Sequence, residues 1–364
     1  MDRRAFCSAA SAALLLPVLG GCAASAEAKL PATRFFVFGE GDRRKLLYRA
    51  GTVTDIRSGE VIWQEKVSAE RQIASQTAVE VTTRRGPVRI REDEDGVWIG
   101  KDRVARGSPI KRPRFAANRN ARRLRALHHE ILVNIVDGEP VPNLFVYSRP
   151  WRRDAAMMAM SLAATGNVAL IKPWVARLDR VFDGNAGTDE PDNIGQTLYL
   201  LALANESKHP LVGQALDAAR RFSQGAHISG STDGSAHPVY QTLWLKFGLK
   251  SLGLPDPYHA PLRLDHYRAL AWWAPQASLP YPLRFGGSMR ADFPYLAWAE
   301  AHYWKLAPPA LPDEESFPQT WEANAAQADY KGMKAVGDDW AKARTAGPHG
   351  WHAAEAFLYL LQQG

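Results

Sequence analysis

The stretch Trp151-Arg152-Arg153-Asp154-Ala155-Ala156-Met157-Met158-Ala159-Met160-Ser161-Leu162-Ala163-Ala164-Thr165-Gly166-Asn167 decides the reading of this 364-residue chain. Small and apolar residues fill every angular position of 155–160, so a helix built here has no polar face and must be buried on all sides. Gly166-Asn167 supplies the turn that ends it. The polar cluster just before it places charged side chains at the mouth of a buried helix.

Working outward, a second apolar stretch reaches Phe182, with Pro173 set to begin or kink it. Helical periodicity returns over 193–204, 211–222, 240–250, 264–273, 293–303, 320–330 and 351–361. Junctions at Asp154, Asp192 and near Tyr240 recur at intervals of roughly 40 to 50 residues, enough for one helical hairpin each. An apolar inner layer with an amphipathic outer layer predicts a mainly α fold. Residues 126–364 are expected to form an (α/α)6-type toroid of helical hairpins, although an open solenoid has the same pattern.

Residues 34–100 read differently. Short β-like runs such as Phe35-Phe36-Val37-Phe38, Val61-Ile62-Trp63 and Val97-Trp98-Ile99 are punctuated by glycines, which predicts a small β-rich segment. Residues 101–125 hold ten lysines and arginines against Asp102 alone and read as a basic linker or solvated face, or as a holder of anionic lipid or acidic polysaccharide. No aromatic-basic motif accompanies them, so nucleic acid is not expected as a partner. The chain carries a formal charge of +7 and 46% hydrophobic residues.

The first 22 residues read as an export signal: Arg3-Arg4, an apolar run over 9–19 too short to span a bilayer, then Leu19-Gly20-Gly21-Cys22. An aliphatic residue and two small ones before a cysteine fit a lipid-attachment site, with an ordinary cleaved signal as the alternative. Arg3-Arg4 suits twin-arginine export or a plain positive n-region. Residues 23–33 then form a tether, and the expected location is outside the cytoplasm, anchored to a membrane through Cys22. Of the 2 cysteines, Cys7 leaves with the signal, so stability must come from a core rather than disulfides.

Three clusters carry chemistry: 147–154, then Thr188-Asp189-Glu190-Pro191-Asp192-Asn193-Ile194-Gly195-Gln196, then Pro348-His349-Gly350-Trp351-His352-Ala353-Ala354-Glu355. Trp-Arg-Arg-Asp before a small-residue helix, followed by Glu-Pro-Asp-Asn-x-Gly-Gln opening another, resembles the inner-helix junctions of six-hairpin toroid glycosidases, nearest to the bacterial unsaturated-uronyl hydrolases. The likeness covers residues from about 118 onward and rests on short motifs. It implies a substrate in the toroid mouth, with Asp154 matching the acid of the Trp-x-Arg-Asp motif and Glu190 to Asn193 matching by residue type.

Glycoside cleavage needs one carboxyl to protonate the leaving oxygen and another to activate water or attack the sugar. Asp154, Glu190 and Asp192 are the leading candidates, with Glu322 and Glu355 in reserve. Each has a plain alternative, since Asp caps helices and Glu favours a helix N-terminus. Trp151, Arg152, Arg153, Asn193, Gln196, Tyr240, Trp321, His349, Trp351 and His352 are candidate substrate contacts, with Arg149, Arg152 and Arg153 suited to gripping a carboxylate. The aromatic residues could equally be core filler, and no motif calls for a cofactor or a metal. A lyase on the same fold would use Tyr240, His237 and His302. A non-catalytic glycan-binding or envelope-assembly lipoprotein is the remaining reading, and protein partners are unknown.

Overall fold

The computed structural model describes residues 30–274 and 284–364. The export signal, Cys22 and most of the tether lie outside the described residues. Strands β1 (Phe36–Phe38), β2 (Leu46–Arg49), β3 (Thr52–Asp55) and β4 (Val61–Gln64) form an antiparallel meander. A second meander joins β5 (Val67–Ile73), β6 (Ala78–Thr83), β7 (Gly86–Asp93), β8 (Gly96–Ile99) and β9 (Asp102–Ala105). Register places Val79 opposite Ile90 and Val81 opposite Val88, which sends one apolar face inward.

After β9 come α1 (Ala121–Val133), the ribbon β10 (Ile135–Val136) and β11 (Glu139–Pro140), α2 (Arg152–Thr165), α3 (Lys172–Val175), α4 (Asp192–Ala204) and α5 (Pro210–Arg221). The ribbon β12 (Ser231–Thr232) and β13 (Ser235–Ala236) precedes α6 (Pro238–Ser251), a 3-10 helix His266–Ala271, α7 (Gly287–Asp292) and α8 (Pro294–Trp304). Strand β14 (Glu322–Ala323), α9 (Asp338–Lys342), β15 (Thr345–Ala346) and α10 (Gly350–Gln362) complete the described chain. Among the described residues no helix is long and apolar enough to cross a membrane.

The expected mainly α toroid of helical hairpins is overturned. The described residues form a mixed α/β fold with 38% helix, 18% strand and five antiparallel sheets. Three of the expected helices do not exist as such. The stretch reaching Phe182 yields only the 3-10 turn Val168–Leu170 and four-residue α3, because Pro173 starts α3 without a long segment to follow. Residues 264–273 form the 3-10 helix, capped by Asp265, whose side chain accepts from Tyr267 N. Residues 320–330 give β14 and loop: Glu322 pairs with Ala346, Asn324 adopts φ 56°, and Tyr330 turns into the β-side core. Helical periodicity suggested a helix there, and strand pairing with a distant segment overrode it.

That β-side core packs Phe35, Phe36, Phe38, Val79 and Ile90 against Phe317, Tyr330, Met333 and Trp340, so the C-terminal third closes over the N-terminal sheets. The basic stretch stitches the two parts together. Arg112 pairs with Glu40 at 2.6 Å, Arg122 with Glu314 at 2.8 Å, and Arg125 Nε donates to Ser75 O.

In the helical part, α2 packs on α4, α4 on α6, α6 on the 3-10 helix, that on α8, α8 on α10, and α10 back on α2. Helix α2 is buried all round, as its sequence requires, apart from its last turn. Helices α4 and α6 approach backbone to backbone because Gly195 and Gly248 face each other's helix. A Cβ on Gly195 would sit 2.1 Å from Trp244 C, and one on Gly248 2.5 Å from Gly195 O.

Candidate active site

The starts of α2, α4, α6, α8 and α10 meet at one place and carry a cluster of buried polar side chains. Arg153, in the first turn of α2, holds three carboxylates: Glu190 at 2.8 Å, Asp192 at 3.2 Å, and Asp233. Asp192 also accepts from Thr232 Oγ1 at 2.7 Å and Gln196 Nε2 at 3.0 Å. Glu190 accepts from Asp233 N at 2.7 Å. Burial, reinforced by the neighbouring acids and only partly offset by Arg153, pushes Glu190 and Asp192 above the ordinary carboxylate range. Asp233 goes the other way, because Arg153 and the Tyr267 hydroxyl outweigh its burial.

Asp154, the next residue on α2, faces a different set of groups. Its carboxylate lies 3.8 Å from His349 Nε2 and accepts no hydrogen bond among the described residues. Burial raises it to about 7, against the lowering effect of His349 and Arg153. The helix-capping alternative does not describe it: Trp151 is the N-cap of α2, and no side chain caps that end. Glu322, on β14, lies 3.3 Å from the same His349 nitrogen and accepts from Tyr147 Oη at 2.6 Å and Tyr330 Oη at 3.1 Å. With each carboxylate within 4 Å of one nitrogen, their near oxygens are at most roughly 7 Å apart, within reach of two-carboxylate glycoside chemistry.

His349 is the N-cap of α10, and its Nδ1 accepts from His352 N at 3.3 Å. That bond directs the Nε2 proton toward the carboxylates. Burial lowers the His349 pKa, and Glu322 with Asp154 raises it further than burial lowers it. Tyr295, in the first turn of α8, stacks on Trp351 with centroids 4.3 Å apart and on His349 at 5.7 Å. Its hydroxyl is pushed well above the ordinary range by burial and by Glu322, Asp154 and Asp233.

The remaining sequence candidates divide. Tyr240 is buried beside Asp192 and meets Tyr267 edge-on at 5.6 Å. Trp151 is half-buried and meets Tyr147 edge-on at 6.2 Å, on the rim near Asp154. Arg152 is buried on another side of α2. Asn193 and Gln196 bond to each other at 3.2 Å and serve as scaffold. Trp321 and His352 are buried together, with His352 Nδ1 3.1 Å from both the nitrogen and the oxygen of Trp321. Glu355 is turned inside, paired with His302 at 2.8 Å, and His302 stacks on Trp272 toward the far end of α8. His237 bonds Asp265 at 3.0 Å and stacks on Tyr267 at 3.8 Å.

Sequence reasoning did not assign Asp233, Tyr267, Tyr147, Tyr295 or Tyr330. Asp233-Gly234 reads as an ordinary hairpin turn, and both residues do take positive φ between β12 and β13. Tyr147 lay in the flagged 147–154 cluster, the one usable signal among the five.

Elsewhere Glu40, Glu92 and His129 bring ligand-type atoms within 4.8 Å of one another. Arg43 pairs with Glu92 at 3.0 Å and Arg112 with Glu40 at 2.6 Å, so arginines already balance these acids. Comparison with protein-family models, with curated proteins and with solved structures finds no match for this chain.

Proposed function

We propose that the chain is an exported carbohydrate-active enzyme that hydrolyses a glycosidic bond, with Asp154 as proton donor and Glu322 as its partner carboxylate. The observation that carries this is Asp154 itself: a buried carboxyl with no hydrogen-bond donor among the described residues, raised to about 7, across one imidazole from a second carboxylate. A carboxyl still partly protonated near neutral pH can give its proton to a leaving oxygen. Glu322, fixed by two phenols, activates water or meets the developing positive charge of the sugar. Glu190 and Asp192, the partners favoured from sequence, are engaged by Arg153 and frame the site. Trp151, half-buried on the rim, offers a flat face for a sugar ring. The resemblance of Trp-Arg-Arg-Asp to the uronyl-hydrolase motif supports the same acid.

The test is a screen of neutral and uronic oligosaccharides with the purified chain, following new reducing ends. Turnover that disappears in Asp154→Asn and Glu322→Gln, while glycan binding persists, supports the reading. Glycan binding without turnover by any wild-type preparation leaves a binding or envelope-assembly lipoprotein.

A lyase is favoured by one arrangement, the stacked His237 and Tyr267 beside Arg153, where a phenol and an imidazole stand near a guanidinium. Ultraviolet absorbance from a new double bond in the product separates it from hydrolysis. Lipid anchoring through Cys22 is tested by labelling with a radioactive fatty acid, which Cys22→Ser must abolish.

A further inference from the structure

Glu130, on α1, is fully buried and takes no part in the proposed bond cleavage. A buried carboxyl is costly unless hydrogen-bond partners meet it. Its two oxygens meet the backbone N–H of Gln319 and, at 2.5 Å, the Thr320 hydroxyl. Thr320 Oγ1 in turn accepts from His349 N at 3.1 Å and lies 3.3 Å from His349 O. Glu322 follows two residues after Thr320. One carboxyl on α1 therefore ties down both the segment that carries Glu322 and the residue that carries the shared imidazole.

The residue before His349 is gripped from the same side. Asn134, at the end of α1, and Asn143 donate to Pro348 O at 3.2 Å and 2.8 Å. Glu130, Asn134, Asn143 and Thr320 are all 0% exposed, and His349 is 2% exposed. An apolar side chain would fill the space at position 130, so what the carboxyl adds is direction. Burial pushes it up to about 8, and in either form it keeps a hydrogen bond to Thr320, accepting when ionised and donating when protonated. The hydroxyl is thereby held where His349 N can donate to it.

We propose that Glu130 and Thr320 are positioning residues that set the distance between His349 and Glu322. The proposal rests on the reading of His349 as the group that joins Asp154 to Glu322. With the Thr320 hydroxyl gone, the imidazole is free to drift from the two carboxylates that raise its pKa, while the burial that lowers it stays. Its titration midpoint must then fall.

Imidazole resonances of the full chain, with His349 assigned by its loss in His349→Gln, test this without substrate. The wild type is expected to titrate above the ordinary imidazole value. Thr320→Val, close to the same shape without the hydroxyl, is expected to lower the His349 midpoint, and Thr320→Ser to restore it. Glu130→Leu is expected to lower it as well and carries the test if Thr320→Val does not fold. A midpoint unmoved in whichever of these two folds overturns the proposal, as does a Thr320→Ser variant that titrates like Thr320→Val. Where a glycan is turned over, kcat of Thr320→Val is expected to fall by about 10- to 100-fold with KM unchanged, the scale of a small misplacement at a reacting centre. A midpoint that moves, with no turnover of any glycan by the wild type, upholds the positioning and counts against hydrolysis alone. Turnover by the wild type, with midpoint and kcat both unmoved in Thr320→Val, does the reverse.

Discussion

Asp154 and Glu322 share a single partner, the Nε2 atom of His349, at 3.8 Å and 3.3 Å. The sharing is unequal. Glu322 is fixed by two tyrosine hydroxyls, and Asp154 by none among the described residues. One carboxyl is thereby held as an acceptor and the other is left to exchange a proton, which is the division of labour that paired-acid chemistry requires. His349 couples the two, and stacking on Tyr295 holds its ring in plane.

If Asp154 is the proton donor, activity depends on its protonated form. With the carboxyl at about 7, kcat/KM falls as pH rises through that value, giving the alkaline limb of the profile. Asp154→Asn is expected to lower kcat by about 100-fold or more and to abolish that limb, leaving glycan affinity intact. A limb that persists unchanged in any residual activity assigns the titration to another group.

The same group has a consequence for stability. A carboxyl raised from 3.8 to about 7 favours the folded state when protonated, so its contribution is full below about 4 and is lost as pH rises through 7. Asp154→Asn removes the burden of a buried charge without changing shape. The variant is expected to match the wild type in urea denaturation at pH 4 and to exceed it at pH 8 by roughly 1–3 kcal/mol. Equal midpoints at both pH values would show that Asp154 is better solvated than its burial implies.

Arg153 is the counter-ion for Glu190, Asp192 and Asp233, and an uncharged replacement leaves three acids crowded together. Arg153→Met is expected to cost about 3–5 kcal/mol, the usual penalty for removing one partner from a buried pair. Without the guanidinium all three folded-state carboxyls rise, so stability survives at low pH and is lost as pH rises. Denaturation at pH 5 and pH 8 checks the sign, with the larger loss required at pH 8.

What was readable in the sequence was what local pattern determines. The all-apolar 155–160 segment does form a helix buried except for its last turn, and the periodic runs at 193–204, 240–250 and 351–361 are α4, α6 and α10. Strands such as β5 and β7 were not legible, because Ser68, Glu70, Arg71 and Gln72 leave β5 little apolar alternation and β7 alternates only over Val88 and Ile90 before Glu92 takes the next inward position. Residues 320–330 misled for a different reason: their conformation is set by pairing with β15 and by packing on Phe35 and its neighbours, both remote in sequence. At the site, Asp154 was findable from its motif. Glu322 was held only in reserve, since nothing near it in sequence announces that Tyr147 and His349 will converge on it. The even spacing that suggested a toroid reflected helix starts gathered at one place, which a mixed α/β fold also achieves.

Gly195 lies in the Asp-Asn-Ile-Gly-Gln motif that opens α4, where the sequence offers a functional explanation. The structure gives a mechanical one. A Cβ at this position would stand 2.1 Å from the Trp244 carbonyl carbon and 2.2 Å from its oxygen, both backbone atoms that no side-chain rotation can clear. Gly195→Ala must therefore push α4 and α6 apart, and with them Asp192 and Tyr240 at their first turns. The expected loss is at least about 1–3 kcal/mol, the range for overpacking, together with weaker glycan binding as the two helix starts separate. Gly213→Ala, on α5 with open space around the added carbon, is the matched control and is expected to be neutral or slightly stabilising. Comparable thermal midpoints for the two variants would mean that α4 and α6 do not touch as closely as this packing requires.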